Sequence, residues 1–399
     1  PPPLPPPLIP IVALPEMRPD APVDYDGDAL STAISIVAFL FVPLGALAYC
    51  AGGKSNSGGR VVDTSQKSKS VTKSTMSSMG AANAATIPDG SPGAAKSDDF
   101  RPQWTTQFLE TQTPNSLGKE FIAQLQHYVA PGRTQIVFES HLTANRYNDI
   151  PCFDQDRIIL KGPTDYINAN YMHAPDGVKY IATQGPLPET RNEFWQMVVQ
   201  EEVLIILQLC KFVEGYGVEK CAEYWPAGEK DTATTLDRFT IRKIDKREEI
   251  APGTVKTKLR IESKTVNRTI QHIYCDSWPD QLAPSDPAII IKIWNYIKAN
   301  RDTGPVVVHC SAGVGRTATF IGISYGVEML KKQGGNIIDI VKEMRKSRPK
   351  AVQTHIQYGF LHAALLELFI QQNLVPRSDK ATAFFEAFKN SAEMQASNK

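Results

Sequence analysis

The sequence predicts a mixed α/β (α+β) domain, a twisted mixed β-sheet flanked by helices, preceded by one membrane-spanning helix and flexible segments. Three observations carry this reading. From about Trp104 to residue 372, strand-like and helical patterns alternate without an internal repeat. Residues 306–319, VVVHCSAGVGRTAT, run from a β-branched stretch through a Gly-bearing loop into a long apolar stretch suited to a helix. Residues 29–53 carry no charged side chain, and at about 1.5 Å rise per residue such a helix crosses a hydrocarbon core of about 30 Å.

The bulk numbers set limits. A chain of 399 residues exceeds one ordinary domain but fits one domain with non-globular extensions. An apolar content of 42% supports a sizeable core, and a net charge of +1 gives no electrostatic case for nucleic acid. The six cysteines, at 50, 152, 210, 221, 275 and 310, form no CxxC pair and no Cys/His cluster. That spacing argues against a disulfide framework or a structural zinc site and suits a reducing compartment. The first residue is Pro rather than Met, which predicts a fragment or a processed form.

Residues 1–28 open on PPPLPPPLIP and continue with Glu16, Asp20, Asp24, Asp26 and Asp28 against Arg18 alone. This composition predicts a disordered, Pro-rich acidic segment. Residues 29–53 follow as the membrane helix, in which Pro43 and Gly45 are tolerable. The acidic flank and the long apolar run fit a signal peptide poorly. Lys54, Arg60, Lys67, Lys69 and Lys73 come after the span, so the rule that cationic flanks stay inside predicts a single-pass protein with its C-terminal side in the cytoplasm. Residues 54–99, rich in Ser, Gly, Ala, Thr and Lys, read as a flexible linker.

The folded domain is expected over 100–376, with a polar tail at 377–399 bearing at most a short helix at 382–388. Helices are predicted at 108–128, 191–201, 289–299, 316–332, 336–346 and 355–372. Strands are predicted at 157–160, 180–183, 203–209, 239–244, 256–261, 267–274 and 306–309.

His309-Cys310-Ser311-Ala312-Gly313-Val314-Gly315-Arg316 is a Cys-x5-Arg arrangement between a strand and a helix. An oxyanion needs donors on several sides, and backbone N–H groups coiled before a helix N-terminus supply them. Gly313 and Gly315 are expected to let the backbone turn inward with φ above zero. Arg316 can hold two oxygens in a planar fork that Lys cannot reproduce. The same positive field lowers a thiol's pKa, which makes Cys310 a candidate nucleophile, and Thr317 is placed to hydrogen-bond it. Strand alternation turns His309 away from Cys310, as a core residue whose hydrogen bonds tune the loop. The stretch also matches the G-x-G-x-x-A dinucleotide pattern, but that reading leaves Cys310 unexplained and lacks a ribose-binding acid about 20 residues on.

This loop resembles the phosphate-binding loop of the protein tyrosine phosphatase family, and the resemblance spreads over residues 104–373. Asn145-Arg146-Tyr147-Asn148-Asp149 is similar to the family's phosphotyrosine-recognition loop. Asp165-Tyr166-Ile167-Asn168-Ala169-Asn170, Thr183-Gln184-Gly185-Pro186, Glu193-Phe194-Trp195 and Lys220-Cys221 with Tyr224-Trp225-Pro226 match further family blocks. Trp278-Pro279-Asp280 lies 310 − 280 = 30 residues before the Cys, where the family has its mobile acid loop. Gln353-Thr354 and Gln357-Tyr358 match its glutamine loop.

The resemblance implies hydrolysis of phosphotyrosine in proteins through a phosphocysteine, with no metal and no cofactor. It implies Cys310 as nucleophile, Arg316 as the phosphoryl clamp, Asp280 as general acid and then base, and Gln353 positioning the hydrolytic water. Ser311, Ala312, Gly313, Val314 and Gly315 would cradle the phosphate. Tyr147 would wall a deep cleft that favours an aryl phosphate, Asp149 would hold peptide amides, Gln357 would assist Gln353, and Lys220 would pair with the closing acid loop. Arg345 and Arg348 are expected to be structural. Two positions depart from the family pattern: Leu282 replaces the acid-loop Gly of W-P-D-x-G, and Ala318 replaces the Gly after Arg-Thr. Leu282 is expected to stiffen or reshape the loop, and Ala318 to be harmless in a first helical turn. The alternative is a catalytically weak pseudophosphatase acting as a phosphotyrosine-binding or scaffold module. Retention of Cys310, Asp280 and Tyr147 favours the enzyme, and Tyr147 disfavours a dual-specificity phosphatase.

Overall fold

The computed structural model describes residues 99–397, except Ser285 and residues 302–303. The segments expected at 1–28 and 29–53, and the linker up to residue 98, lie outside the described residues. All described residues belong to one compact unit, Asp89–Lys399.

The helices are α1 (Arg101–Thr111), α2 (Pro114–Gln124), α3 (Ile136–Glu139), α4 (Arg191–Gln200), α5 (Pro287–Asn300), α6 (Arg316–Gln333), α7 (Ile337–Ser347), α8 (His355–Gln371) and α9 (Asp379–Ser397). The strands are β1 (Arg157–Ile159), β2 (Tyr166–His173), β3 (Lys179–Thr183), β4 (Ile205–Gln208), β5 (Val213–Glu214), β6 (Val218–Glu219), β7 (Ala233–Thr235), β8 (Thr240–Lys243), β9 (Glu248–Ala251), β10 (Thr254–Glu262), β11 (Asn267–Cys275) and β12 (Val306–His309). The large sheet runs β1-β2-β3-β12-β4-β11-β10-β8-β7, with β9 on β10, while β5 and β6 form a separate hairpin. The fold is therefore a mixed α/β one, with a twisted mixed sheet flanked by helices.

β12 lies parallel to both β3 and β4, with Val307 opposite Ile181 and Ile206. Burial on both sides explains its unbroken β-branched run. β10 and β11 pair antiparallel over nine positions, and β10 alternates buried with exposed residues, as a strand with one solvated face does. α6 follows β12 directly and packs on β12, β3, α7 and α8. This chain order puts residues 310–315 at the mouth of the central strand.

The single helix expected at 108–128 is two helices. Thr113 precedes Pro114 and is extended (φ −128°, ψ 163°), because a residue before Pro is pushed out of the helical region. Thr113 and Ser116 then cap α2 reciprocally, at 3.1 and 2.8 Å. β2 was not expected as a strand, because its Asn168 and Asn170 hide the apolar pattern; both are buried and hydrogen-bonded. The tail is also more ordered than its polarity predicts. α9 spans Asp379–Ser397 and buries Ala381, Phe384 and Phe388 against the core. Phe384 meets Phe108 edge-on at 4.9 Å between ring centroids. The domain therefore continues past residue 376. The five cysteines among the described residues are free and buried.

Two buried histidines give the fold an acid-sensitive limb. His362 stacks on Phe108 and donates Nδ1–H to the Tyr358 carbonyl at 2.9 Å. Burial outweighs that bond and pushes its pKa from 6.5 down to about 4. Burial likewise holds His272 well below its ordinary value. In this range the unfolded chain takes up protons that the folded one refuses, so stability falls as pH drops from about 6.5 toward 4. For His362 alone the loss is roughly 3 kcal/mol. Urea midpoints measured between these pH values should show that decline, and His362→Phe should flatten it. An unchanged slope in His362→Phe would exclude His362 as its source.

Candidate active site

Residues 310–315 are shaped by what binds their carbonyls from outside. The Cys310 carbonyl accepts from His309 Nδ1 (3.2 Å), and that of Ser311 from the Gly185 N–H (2.9 Å). Arg348 donates to the carbonyls of Ala312 (3.0 Å) and Gly313 (3.2 Å). The Val314 carbonyl accepts from the Val352 N–H (2.9 Å), and that of Gly315 from the Thr319 N–H (3.0 Å). Within a planar trans peptide the N–H points opposite to the C=O. The N–H groups of residues 311–316 are thereby turned toward the inside of the loop. One of them, on Gly313, donates to Cys310 Sγ at 3.3 Å.

The two glycines serve different needs. Gly313 has φ +71°, and a Cβ there would lie 2.3 Å from the Thr183 carbonyl oxygen. Gly315 does not have the positive φ expected of it: its φ is −82°. It is needed for space, since a Cβ would come within 2.8 Å of Gln357 Nε2.

His309 is fully buried, and its role follows from its bonds. A carbonyl only accepts, so Nδ1 carries the proton toward Cys310, and Nε2 accepts from the Tyr224 hydroxyl (2.7 Å). The Tyr224 oxygen in turn accepts from His272 Nε2 (2.7 Å). This chain fixes the ring's orientation and turns His309 away from the thiol, as the strand alternation predicted.

Arg316 begins α6 with its side chain 1% exposed. Nη1 donates to Glu214 Oε1 (2.7 Å) and to the Trp278 carbonyl (3.0 Å). Nη2 donates to Asp280 Oδ1 (3.0 Å), and Nε is buried without a hydrogen-bond partner among the described residues. Glu214, on β5, escaped the sequence reading: an acid beside Gly-Tyr-Gly carries no signal until the hairpin folds against Arg316.

Asp280 sits between two cations, with Oδ2 on Lys220 Nζ at 2.9 Å and Oδ1 on Arg316. The acid loop thus lies over the cavity. Trp278 is buried and donates Nε1–H to the Leu282 carbonyl (2.9 Å). Leu282 does not take the left-handed backbone that would call for glycine; the positive φ falls on Gln281, at +58°. Leu282 is instead packed inside, 7% exposed. Ala318 is fully buried in the first turn of α6.

A cavity of about 200 Å³ gathers Tyr147, Asp149, Lys220, Asp280, Gln353, Cys310, Ser311, Ala312, Gly315 and Arg316. The Tyr147 hydroxyl and Ser311 Oγ are 2.8 Å apart. The loop bearing Tyr147 is anchored by the two residues before it: Asn145 bonds Tyr166 and Asn168, and Arg146 bonds the Gly185 and Pro186 carbonyls. Asp149 stands at the rim, exposed and paired with Lys350 at 3.0 Å. Gln357 is buried rather than at the cavity wall. Its Oε1 accepts the Gln353 N–H (3.1 Å), so it supports Gln353 from beneath. Gly313 and Val314 add no side-chain wall; Val314 is fully buried. The Thr317 hydroxyl is buried and makes no hydrogen bond among the described residues, so the expected bond to Cys310 is not formed. Arg345 binds the carbonyls of Ala351, Val352 and Leu125, a structural role.

The family profile "Protein-tyrosine phosphatase" matches residues 141–367. Tyrosine-protein phosphatase non-receptor type 7 of Homo sapiens is 37% identical over 275 residues, which cover 66% of this chain and 73% of that protein. Receptor-type tyrosine-protein phosphatase C of Rattus norvegicus is 38% identical over 235 residues, 56% of this chain and 18% of that protein. A solved structure reported as "Structural basis of PTPN18 fingerprint on distinct HER2 tyrosine phosphorylation sites" superposes with a TM-score of 0.59 at 30% identity, covering 67% of this chain and 99% of that one.

The glycine geometry makes a graded prediction, measured by urea denaturation and by the rise in melting temperature with inorganic phosphate. Gly313→Ala forces a Cβ against backbone at a positive φ. It should lower stability by about 3 kcal/mol and remove the phosphate effect. Gly315→Ala meets the end of a side chain that can shift, and should do less of both. Equal losses would show that the Gln357 side chain cannot yield.

Proposed function

The chain belongs to the protein tyrosine phosphatase family and is a protein-tyrosine phosphatase hydrolase; from that premise we propose that it hydrolyses phosphotyrosine in proteins through a phosphocysteine intermediate. The observation that carries the reading is convergence. Cys310 Sγ, the Arg316 fork, the Asp280 carboxylate and the Tyr147 ring all border one cavity. A phosphoryl group seated in the loop meets inward N–H donors and the Nε–Nη2 edge of Arg316, since Nη1 is already held by Glu214 and Trp278. These donors are fixed before the substrate arrives, which is the condition for strong electrostatic catalysis.

In the first step Cys310 Sγ attacks phosphorus, the S–P bond forms and the P–O(aryl) bond breaks. Asp280 gives its proton to the departing phenolate. The incoming dianion displaces Asp280 from Arg316 Nη2 and, by like charge, favours the protonated acid. In the second step Gln353, steadied by Gln357, orients a water. Asp280 takes its proton, the water oxygen attacks phosphorus, the S–P bond breaks and the thiolate returns. Tyr147 walls the cavity to a depth that an aryl phosphate reaches and phosphoserine does not.

The full chain should hydrolyse a phosphotyrosine peptide and leave its phosphoserine counterpart nearly untouched. Cys310→Ser should abolish turnover, and Asp280→Ala should lower kcat by about 10² to 10⁴ while peptide binding persists. Turnover surviving Cys310→Ser would sink the mechanism. Peptide binding without turnover in the unmutated chain would leave a phosphotyrosine-binding module instead.

The proposal extends to location. Residues 29–53 are read as one membrane span, with the catalytic domain on the cytoplasmic side; the support is their lack of charge and the cationic flank that follows. Among the described residues no helix is long and apolar enough to cross a membrane. Of the relatives above, one is named receptor-type and one non-receptor. In cells, tags placed before residue 29 and after residue 53 should differ in protease access across intact membranes. Equal access, or recovery of the chain without membranes, would exclude the span.

A further inference from the structure

A second cleft opens beside the catalytic cavity. It measures about 720 Å³ and lies between the β5–β6 hairpin and the acid loop. Lys220, Asp280 and Gln281 line both spaces, so the two adjoin, with the Lys220–Asp280 ion pair common to their walls. The hairpin pairs Val213 with Glu219 and Glu214 with Val218, and turns through Gly215, Tyr216 and Gly217. Both glycines have positive φ, +58° and +83°, which a tight turn around one projecting residue requires. That residue is Tyr216, 99% exposed, and Val213 and Val218 beside it are 52% and 53% exposed. Apolar and aromatic surface presented so openly next to a substrate site is what recognition surfaces are made of.

We propose that this cleft is a specificity subsite, taking an aromatic or aliphatic side chain of the substrate protein close in sequence to the phosphotyrosine. The inference rests on phosphotyrosine recognition by the catalytic cavity. Charge complementarity does not select the occupant. Of the charged residues lining the cleft, Lys220 and Asp280 are paired with each other and Glu214 with Arg316, which leaves Lys211 against Asp276. Apolar contact with Tyr216, Val213, Val218 and Pro279 does. The catalytic cavity has room for little beyond the phosphotyrosyl side chain, whereas the cleft can hold a large side chain with its backbone. An extended peptide rises about 3.3 Å per residue, so positions within about three residues of the phosphotyrosine can reach it.

The test uses the full chain and phosphotyrosine peptides that carry Phe or Gly, one position at a time, at those neighbouring sites. At one position the Phe peptide should exceed the Gly peptide in kcat/KM by roughly tenfold, the effect of one apolar side chain withdrawn from water. Tyr216→Ala and, separately, Val218→Thr should bring that ratio toward unity. Hydrolysis of p-nitrophenyl phosphate, which reaches the cavity alone, should stay within about twofold. The same peptides should show the ratio in their affinity for Cys310→Ser. A chain that hydrolyses nothing but shows the ratio in binding would refute the hydrolase reading and support the subsite. A ratio near unity at every position in the unmutated chain, a ratio that persists in both variants, or an equal loss of p-nitrophenyl phosphate hydrolysis would overturn the subsite.

Discussion

The structure turns on the peptide planes of residues 310–315. Six consecutive carbonyls are each held by a donor outside the loop, and that alone aims the opposing N–H groups inward. The donors come from several elements: His309 at the end of β12 and Thr319 in α6 are neighbours in sequence, while Gly185 after β3, and Arg348 and Val352 between α7 and α8, come from afar. Much of the fold can be read as the means of bringing them together. β12 must sit between β3 and β4 for Gly185 to reach Ser311, and α7 must pack on β2 for Arg348 to reach Asn170 as well as the loop. Each bond is a modest contribution by itself. Their joint effect is to prevent the loop from relaxing to satisfy its own donors, so those donors stay available for an anion.

The charges obey the same logic. Arg348 is fully buried and donates to the carbonyls of Ala312 and Gly313 and to Asn170, and burial lowers its pKa. Such a cation is costly unless an anion comes near. Arg316 is buried too, but Glu214 offsets it on the far side of the guanidinium. Asp280 bridges Arg316 and Lys220, so the acid loop is drawn over the cavity by the same cations that a phosphoryl group would engage. Closure and anion binding therefore share one set of charges.

How much of this was legible in the sequence depended on locality. Cys310, Arg316 and the glycines stand within one stretch, and the resemblance to a known family supplied Tyr147, Asp280 and Gln353 from separate blocks. Central strands such as β12 and β4 announce themselves by unbroken apolar runs. Glu214 and Gly185 did not, because their roles exist only across contacts of long sequence separation. Gln357 was read as assisting Gln353, but its place could not be read: Thr354 caps α8, and Gln357 lies buried beneath the loop. The division at Thr113-Pro114 was readable in principle, since Pro restricts its predecessor, but the apolar pattern on either side masked it. α9 was misread for a different reason. The residues it adds to the core cluster, Ala381, Phe384 and Phe388, are few against a polar background, and only their partners make them decisive.

Backbone strain completes the arrangement. Gln281, Lys350 and Val352 all have positive φ, near 57°, although none is glycine. A left-handed residue with a Cβ costs about 1–2 kcal/mol, and a buried β-branched one such as Val352 is the least suited to it. Strain of this kind persists only where the surroundings over-determine the backbone. Here they do. The Val352 N–H is bound to the Val314 carbonyl, its own carbonyl to Arg345, and the Gln281 carbonyl to Thr354 Oγ1 at 3.1 Å. Gln353 lies between Val352 and Thr354, so its direction into the cavity is set by a neighbour that cannot relax. The bond from Thr354 to Gln281 ties that segment to the acid loop. Leu282 is then accommodated without strain of its own: the turn's left-handed residue sits one position earlier, and Leu282 is left to pack inward and accept the Trp278 bond.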